Sequence, residues 1–368
     1  MLKRLYVHNY KCLVNFEINF DKDISLFLGA NGSGKSTVFE VLTKLRRVII
    51  GEEKVGNVFN GADSPRWLNE EAEDKNIYFE LDVEVESSIF RYLLVISFGS
   101  FEGMFFDHKI KEERLYFNKK ILIETKDKET ILAGDTAPIR LDSSRSSINR
   151  YGALITDEFL QYLRTLFIVR INPYEMLSTI NKVNAEVKSD FSNYAEWFAH
   201  LNEKNRKGVS AFEKAMRDIL PGFDYFKIEQ AGQAKVLQVD FENKTNKKEI
   251  ISYYFNELSE GQKVLIALYA LVYCAPENSL ICIDEPENFL ALPEIQPWFD
   301  TLYDQCAERG LQTLLISHHP KIINLLASDS GYWFSRENNL TRIQKISPED
   351  GSGLSIAELI DRGWIYEQ

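Results

Sequence analysis

The segment Gly29-Ala30-Asn31-Gly32-Ser33-Gly34-Lys35-Ser36 narrows the architectures open to this chain more than any other feature. Ile24–Leu28 before it reads as a short buried strand, and Thr37–Val48 after it carries helical spacing. The segment fits GxxxxGK[ST] in the strand, loop and helix context that its chemistry needs. Gly29, Gly32 and Gly34 let the backbone curl so that successive N–H groups point at phosphate oxygens, and the following helix adds its positive end. Lys35 would contact the β- and γ-phosphates, and Ser36 would offer its hydroxyl to Mg²⁺. Gly29, Asn31, Gly32, Ser33, Gly34, Lys35, Ser36 and Thr37 are the nucleotide-binding candidates of this loop.

Two later segments extend the reading. In Leu280-Ile281-Cys282-Ile283-Asp284-Glu285, four apolar residues form a buried strand that delivers two carboxylates to its C-terminal edge, where open α/β sheets bind ligands. Asp284 suits Mg²⁺, and Glu285 is placed to polarise a water for in-line attack on the γ-phosphate. The strand Leu314-Leu315-Ile316 likewise ends in Ser317-His318-His319, and His318 is the imidazole expected to face the phosphate. Leu258-Ser259-Glu260-Gly261-Gln262 precedes a helix. Ser259 and Gly261 there would make a second anion site from a hydroxyl, a residue without a side chain and free helical N–H groups. Glu260 and Gln262 join them as nucleotide-binding candidates. One copy cannot usefully aim both anion sites at one γ-phosphate, but two copies arranged head to tail can, so a homodimer or higher homo-oligomer is expected.

Composition bounds the class. The chain has 368 residues, 45% hydrophobic and 27% charged, enough to bury one large domain or two smaller ones. No apolar run is long enough to span a bilayer, and the start of the chain lacks a leader pattern; a cytoplasmic protein without membrane contact is expected. Cys12, Cys274, Cys282 and Cys306 lack CxxC spacing, which points to reduced thiols rather than zinc or disulfides. A net charge of −12 argues against non-specific coating of nucleic acid. Three local clusters keep nucleic acid open as a ligand: Arg140, Arg145 and Arg150; Lys204, Arg206 and Lys207; and Lys244, Lys247 and Lys248.

Along the chain, Leu2–Tyr6 and Val14–Phe20 alternate as strands. Hairpins are expected at Ile77–Glu86 with Phe90–Phe98, at Lys120–Glu124 with Glu129–Leu132, and at Val236–Phe241 with Glu249–Phe255. Asn193–Asn202 and Val209–Leu220 read as helices. The C-terminal part alternates: a helix from Gly261, strand Leu280–Ile283, helix Pro293–Glu308, strand Gln312–Ile316, helix Lys321–Ala327 and strand Gly331–Phe334. The expected fold is α/β: a two-lobed nucleotide-binding domain with a mixed sheet around the phosphate loop, an antiparallel β lobe and a helical insert. Residues 1–134 and 236–368 would form the discontinuous domain, and 135–235 the mainly helical insert or lid.

The order of these elements resembles the ATP-binding cassette superfamily, and within it the SMC-like and OLD-like AAA branch. Tyr10-Lys11, GANGSGKST and DEPENFL carry the resemblance, with about 220 residues between the phosphate loop and LSEGQ. It implies ATP and Mg²⁺ as cofactors, Lys35 and Ser36 on phosphate and metal, Ser259 and Gly261 on the partner copy's ATP, Asp284 on Mg²⁺, Glu285 as catalytic base and His318 as switch histidine. Some features depart from the pattern. Ala291 stands where relatives often have a histidine, long coiled coils are absent, and Gln161 is the stand-in for a Mg²⁺-sensing glutamine. The fifty or so residues after His318 are expected to be too few for the nuclease domain of OLD-type proteins.

The resemblance thus implies a standalone ATPase whose ATP-driven dimerisation controls a separate effector, of a kind found in anti-phage systems. A DNA-repair ATPase acting at ends or gaps is the alternative, and a transporter energy subunit is the third and weakest reading.

Overall fold

Tight turns organise the N-terminal half. Glu86-Ser87, Asn118-Lys119 and Asp127-Lys128 take positive φ at both residues, the backbone that matches the twist of paired antiparallel strands. They join Ile77–Val85 to Ser88–Ser97, Lys109–Phe117 to Lys120–Lys126, and the latter to Glu129–Leu132. The middle hairpin, turning at Asn118-Lys119, is one that the sequence reading did not contain.

The computed structural model describes residues 1–51, 53–64, 76–97, 100–101, 104–105, 108–135, 137–155, 157–243, 249–346 and 354–362. The chain forms two compact units, Met1–Leu166 with Leu326–Ile356, and Phe167–Leu325 with Ala357–Gln368. This division places 135–166 with the N-terminal strands and 167–235 with the C-terminal part, whereas the sequence reading treats 135–235 as one insert.

In the first unit, the hairpins belong to an eight-stranded antiparallel sheet that also includes Leu2–His8 and Phe16–Asn19. Alternation sorts its residues. Leu5, Val7, Phe79, Leu81, Tyr92, Leu94 and Leu115 are buried, while residues one step along carry ion pairs: Arg4 to Glu80 at 2.6 Å, Arg91 to Asp82 at 2.7 Å and Arg114 to Glu124 at 2.7 Å. In the same unit Ile24–Gly29 runs parallel to Gly331–Glu337, which turns at Asn338-Asn339 into the antiparallel strand Leu340–Lys345. The ring of Phe27 meets that of Phe334 with centroids 4.9 Å apart. The helix Lys35–Ile49 follows the loop and buries Val38, Phe39, Val41, Leu42, Leu45, Val48 and Ile49, the stripe that its 3.6-residue period predicts.

In the second unit, Leu280–Asp284 and Gln312–Ile316 pair in parallel, with Leu166–Val169 as the next strand beside Leu280–Asp284. A separate antiparallel sheet comprises Thr179–Ile180, Phe223–Ala231, Ala234–Glu242 and Ile250–Tyr254. The helices Tyr194–Lys204 and Arg206–Ile219 pack with it through aromatic rings: Phe198 and Phe212 each meet Phe226, and Tyr194 stacks on Phe255 at 4.7 Å. The helix Glu260–Cys274 is buried on nearly every side from Lys263 onward, as its continuous apolar run requires.

All four cysteines are buried free thiols. Among the described residues no helix is long and apolar enough to cross a membrane. Of the basic clusters, Arg140 lies 3.8 Å from Glu129 and Arg145 donates to the Gly51 carbonyl. Lys204, Arg206 and Lys207 are exposed, and the cluster Lys244, Lys247 and Lys248 lies outside the described residues.

Candidate nucleotide site

The glycine loop is built from two directions in the first unit. Gly29, Gly32 and Gly34 have φ of 135°, 79° and 108°, a region that residues with a Cβ rarely enter. Contacts impose glycine independently at two of them. A Cβ on Gly29 would lie 2.1 Å from the Phe334 carbonyl oxygen, and one on Gly34 would lie 2.4 Å from Thr341 Oγ1. The hairpin Gly331–Lys345 therefore backs the loop. Thr341 Oγ1 donates to the Ser33 carbonyl at 2.8 Å, and Arg336 Nη1 donates to that of Gly32 at 3.2 Å.

The side chains separate into exposed and buried. Asn31 and Ser36 are exposed, and Thr37 is half-buried. Lys35 is buried, and its ammonium donates to the Gly29 carbonyl at 2.6 Å and to that of Ala30 at 3.0 Å. Ser33 Oγ is buried without a hydrogen-bond partner among the described residues. A buried orphan hydroxyl beside a buried lysine at a helix N-terminus suits a bound anion that supplies the missing bonds. Nearby, Tyr10 is buried, and burial first, then Asp63 and Glu40, pushes its hydroxyl far above the ordinary range. Lys11 pairs with Glu40 at 2.6 Å.

The remaining candidates, Gln161 apart, belong to the second unit. Parallel register aligns Asp284 with Ile316, so Glu285 and Ser317-His318 leave their strands at one edge. Asp284 is 8% exposed. Glu285 has φ 56°, a left-handed conformation costing a non-glycine residue about 1 kcal/mol, and its N–H donates to the Ile316 carbonyl at 2.8 Å. Glu287 joins the two strand tips: its Oε1 accepts from Ser317 Oγ at 3.0 Å and from the His318 N–H at 2.7 Å. His318 is exposed. His319 is 6% exposed, and its Nδ1 accepts from the Lys321 N–H at 3.2 Å.

Ser259 is the N-cap of Glu260–Cys274 and is exposed. Its hydroxyl accepts from the Gln262 N–H at 3.3 Å, and Gln262 Oε1 accepts from the Ser259 N–H at 3.0 Å, a reciprocal capping box. Glu260, Gly261 and Gln262 are half-buried. A Cβ on Gly261 would lie 2.9 Å from the Phe289 carbonyl oxygen, so the turn after Asp284 also demands glycine there. Gln161 sits on the helix Asp157–Arg164 in the first unit and donates to Asp157 at 3.4 Å.

Sequence reading missed Arg170, Glu287, Arg336 and Thr341. Arg170 left a local signal, a lone charge directly after the apolar strand Leu166–Val169, and Glu287 stood inside DEPENFL without a role assigned to it. Its Nη2 donates to Glu285 Oε2 at 2.8 Å.

Comparison with known proteins agrees with this architecture. A crystal structure of the SmcHead bound to the C-winged helix domain of ScpA superposes with a TM-score of 0.59 at 12% identity, covering 95% of this chain and 98% of that one. The Smc head domain with an extended coiled coil, bound to the C-terminal domain of ScpA derived from Pyrococcus furiosus, superposes at 0.50 with 13% identity over all of both chains. At such identities the likeness concerns the fold alone: α/β, with mixed sheets and helices, as in SMC-head ABC-type ATPase domains. The DNA double-strand break repair Rad50 ATPase of Methanocaldococcus jannaschii is 33% identical over 103 residues, 28% of this chain and 9% of that relative's length. The sequence profile described as "AAA domain, putative AbiEii toxin, Type IV TA system" matches residues 24–324. A match over well more than half of the chain makes this protein a member of that family of AAA-domain ATPases.

Proposed function

We propose that this chain is an ATP-hydrolysing switch. Two copies close head to tail on ATP, and closing and opening control a separate effector protein in anti-phage defence. The observation that carries the reading is Ser259: it stands exposed at the N-terminus of a 15-residue helix, where helical N–H groups favour an anion. One copy's loop, Gly29 to Thr37, grips the triphosphate, and the other copy's Ser259, Glu260, Gly261 and Gln262 cap it. Lys35 exchanges its carbonyl partners for phosphate oxygens. Glu285 takes a proton from water as the water oxygen bonds to the γ-phosphorus and the bond to the ADP oxygen breaks. His318, exposed at the same strand edge, hydrogen-bonds the γ-phosphate.

Ser36 and Asp284 offer a hydroxyl and a carboxylate, hard oxygen donors of the type Mg²⁺ takes. Mg²⁺ held by them would supply charge neutralisation to the phosphates. The defence assignment draws support from the family description, which names a toxin of a toxin–antitoxin system. The likeness to Rad50 over 103 residues favours a second reading, a DNA-repair ATPase, which requires salt-sensitive binding to DNA ends.

Glu285→Gln removes the proton acceptor and leaves the phosphate contacts, so with ATP and Mg²⁺ the variant is expected to accumulate as a dimer in light-scattering mass measurements. A mass unchanged by nucleotide would reject the sandwich.

A further inference from the structure

Glu285 uses its two carboxylate oxygens unequally. Oε2 accepts from Arg170 Nη2 at 2.8 Å and from Asn288 Nδ2 at 2.9 Å, whereas Oε1 has no hydrogen bond among the described residues. All three residues belong to the second unit. Two donors occupy both lone pairs of Oε2, so a proton from water can be accepted only at Oε1. The left-handed backbone of Glu285 sets where the side chain starts, and the two donors settle its rotation.

We propose that Arg170 is a positioning residue for hydrolysis, holding Oε2 so that Oε1 is the oxygen presented to the attacking water. This rests on the reading of Glu285 as the base. Arg170 is itself anchored. It directly follows the strand next to Leu280–Asp284, and its N–H donates to the Ser189 carbonyl at 2.7 Å, while that of Asn172 donates to Asp190 at 2.9 Å. The aim of the base is thereby tied to the segment that leads into the helix Tyr194–Lys204. The guanidinium is 65% exposed and the carboxylate 25%, so the pair contributes little to folding, and its removal leaves the protein folded.

The test is ATP turnover and nucleotide affinity of the full chain. In Arg170→Ala, kcat at saturating ATP falls by about ten- to a hundredfold, the cost of a misaimed base, while the Kd for a non-hydrolysable ATP analogue and the melting temperature stay at wild-type values. Arg170→Lys recovers most of the rate, because an ammonium keeps charge and a donor. Asn288→Ala loses less than Arg170→Ala, since the arginine still holds Oε2. An unchanged kcat in Arg170→Ala, or a rise in Kd matching the loss of rate, overturns the proposal. Glu285→Gln separates the two levels. If it is inactive while Arg170→Ala is normal, only the role of Arg170 fails; if it hydrolyses ATP normally, the reading of Glu285 fails as well.

Discussion

At the scale of single residues, the three loop glycines are needed to different degrees. Gly29 and Gly34 combine positive φ with contacts that exclude a Cβ, whereas a Cβ on Gly32 would meet only Arg336 Nη1 at 3.9 Å. Alanine at Gly32 therefore costs the left-handed backbone term, about 1 kcal/mol. At Gly34 it must also displace Thr341 Oγ1, and at Gly29 it meets backbone, which yields less readily than a side chain. Thermal denaturation should rank the variants by loss of melting temperature as Gly29→Ala, then Gly34→Ala, then Gly32→Ala. Equal losses at all three would mean that the hairpin Gly331–Lys345 does not set the shape of the loop. His319 makes the opposite point: its burial and its bond from the Lys321 N–H give its imidazole a local structural task, which the exposed imidazole of His318 lacks.

At the scale of elements, the start of the helix Glu260–Cys274 has two explanations that can be separated. Ser259 and Gln262 form a capping box whatever else they do, and caps of this kind are worth about 1 kcal/mol. Ser259→Ala should lower stability by roughly that amount. Ser259→Asp retains an N-cap acceptor and should melt within a few tenths of a kcal/mol of wild type. It also places a negative charge where the proposed partner phosphate would lie, so its ATP turnover should be lost while stability is kept. Stable Ser259→Asp protein with normal turnover would leave the capping box as the sole function of this serine. The parallel strands Leu280–Asp284 and Gln312–Ile316 show how an element sets chemistry through register: pairing Asp284 with Ile316 brings Glu285 and His318 to one edge although over thirty residues separate them.

At the scale of the whole molecule, exposed carboxylates set the response to acid. Glu17 is held below its ordinary range chiefly by its bond from Arg4, Asp21 by Lys345, Glu84 by Lys3, and Asp142 by Ser144. A folded-state pKa below the unfolded value stabilises the fold above the unfolded pKa, and this is lost as pH falls through the folded one. Glu213, raised by burial, acts in the opposite sense but alone. Melting temperature should therefore decline as pH falls below about 4.5, the ordinary glutamate value, and high salt should blunt the part of that decline carried by the lysine and arginine pairs of Glu17, Asp21 and Glu84. A melting temperature that rises as pH falls below about 4.5 would contradict these ion pairs. Much of the fold was legible beforehand. The alternating strands, two of the first unit's hairpins, the helix after the glycine loop and the parallel C-terminal strands each follow from periodicity or turn chemistry acting within a few residues. The strand Leu340–Lys345 and the hairpin at Asn118-Lys119 were not foreseen, because a two-residue asparagine-containing turn between charged strands resembles a solvated loop. For the candidate site, the sequence by itself determined the local pieces: a glycine loop before a helix, a serine cap before another, carboxylates after an apolar strand. Only the tertiary structure decided which distant residues meet them. Thr341 reaches Ser33 across 308 positions and Arg170 reaches Glu285 across 115, and no short-range pattern encodes such meetings, since they depend on which strands become neighbours once the core has closed.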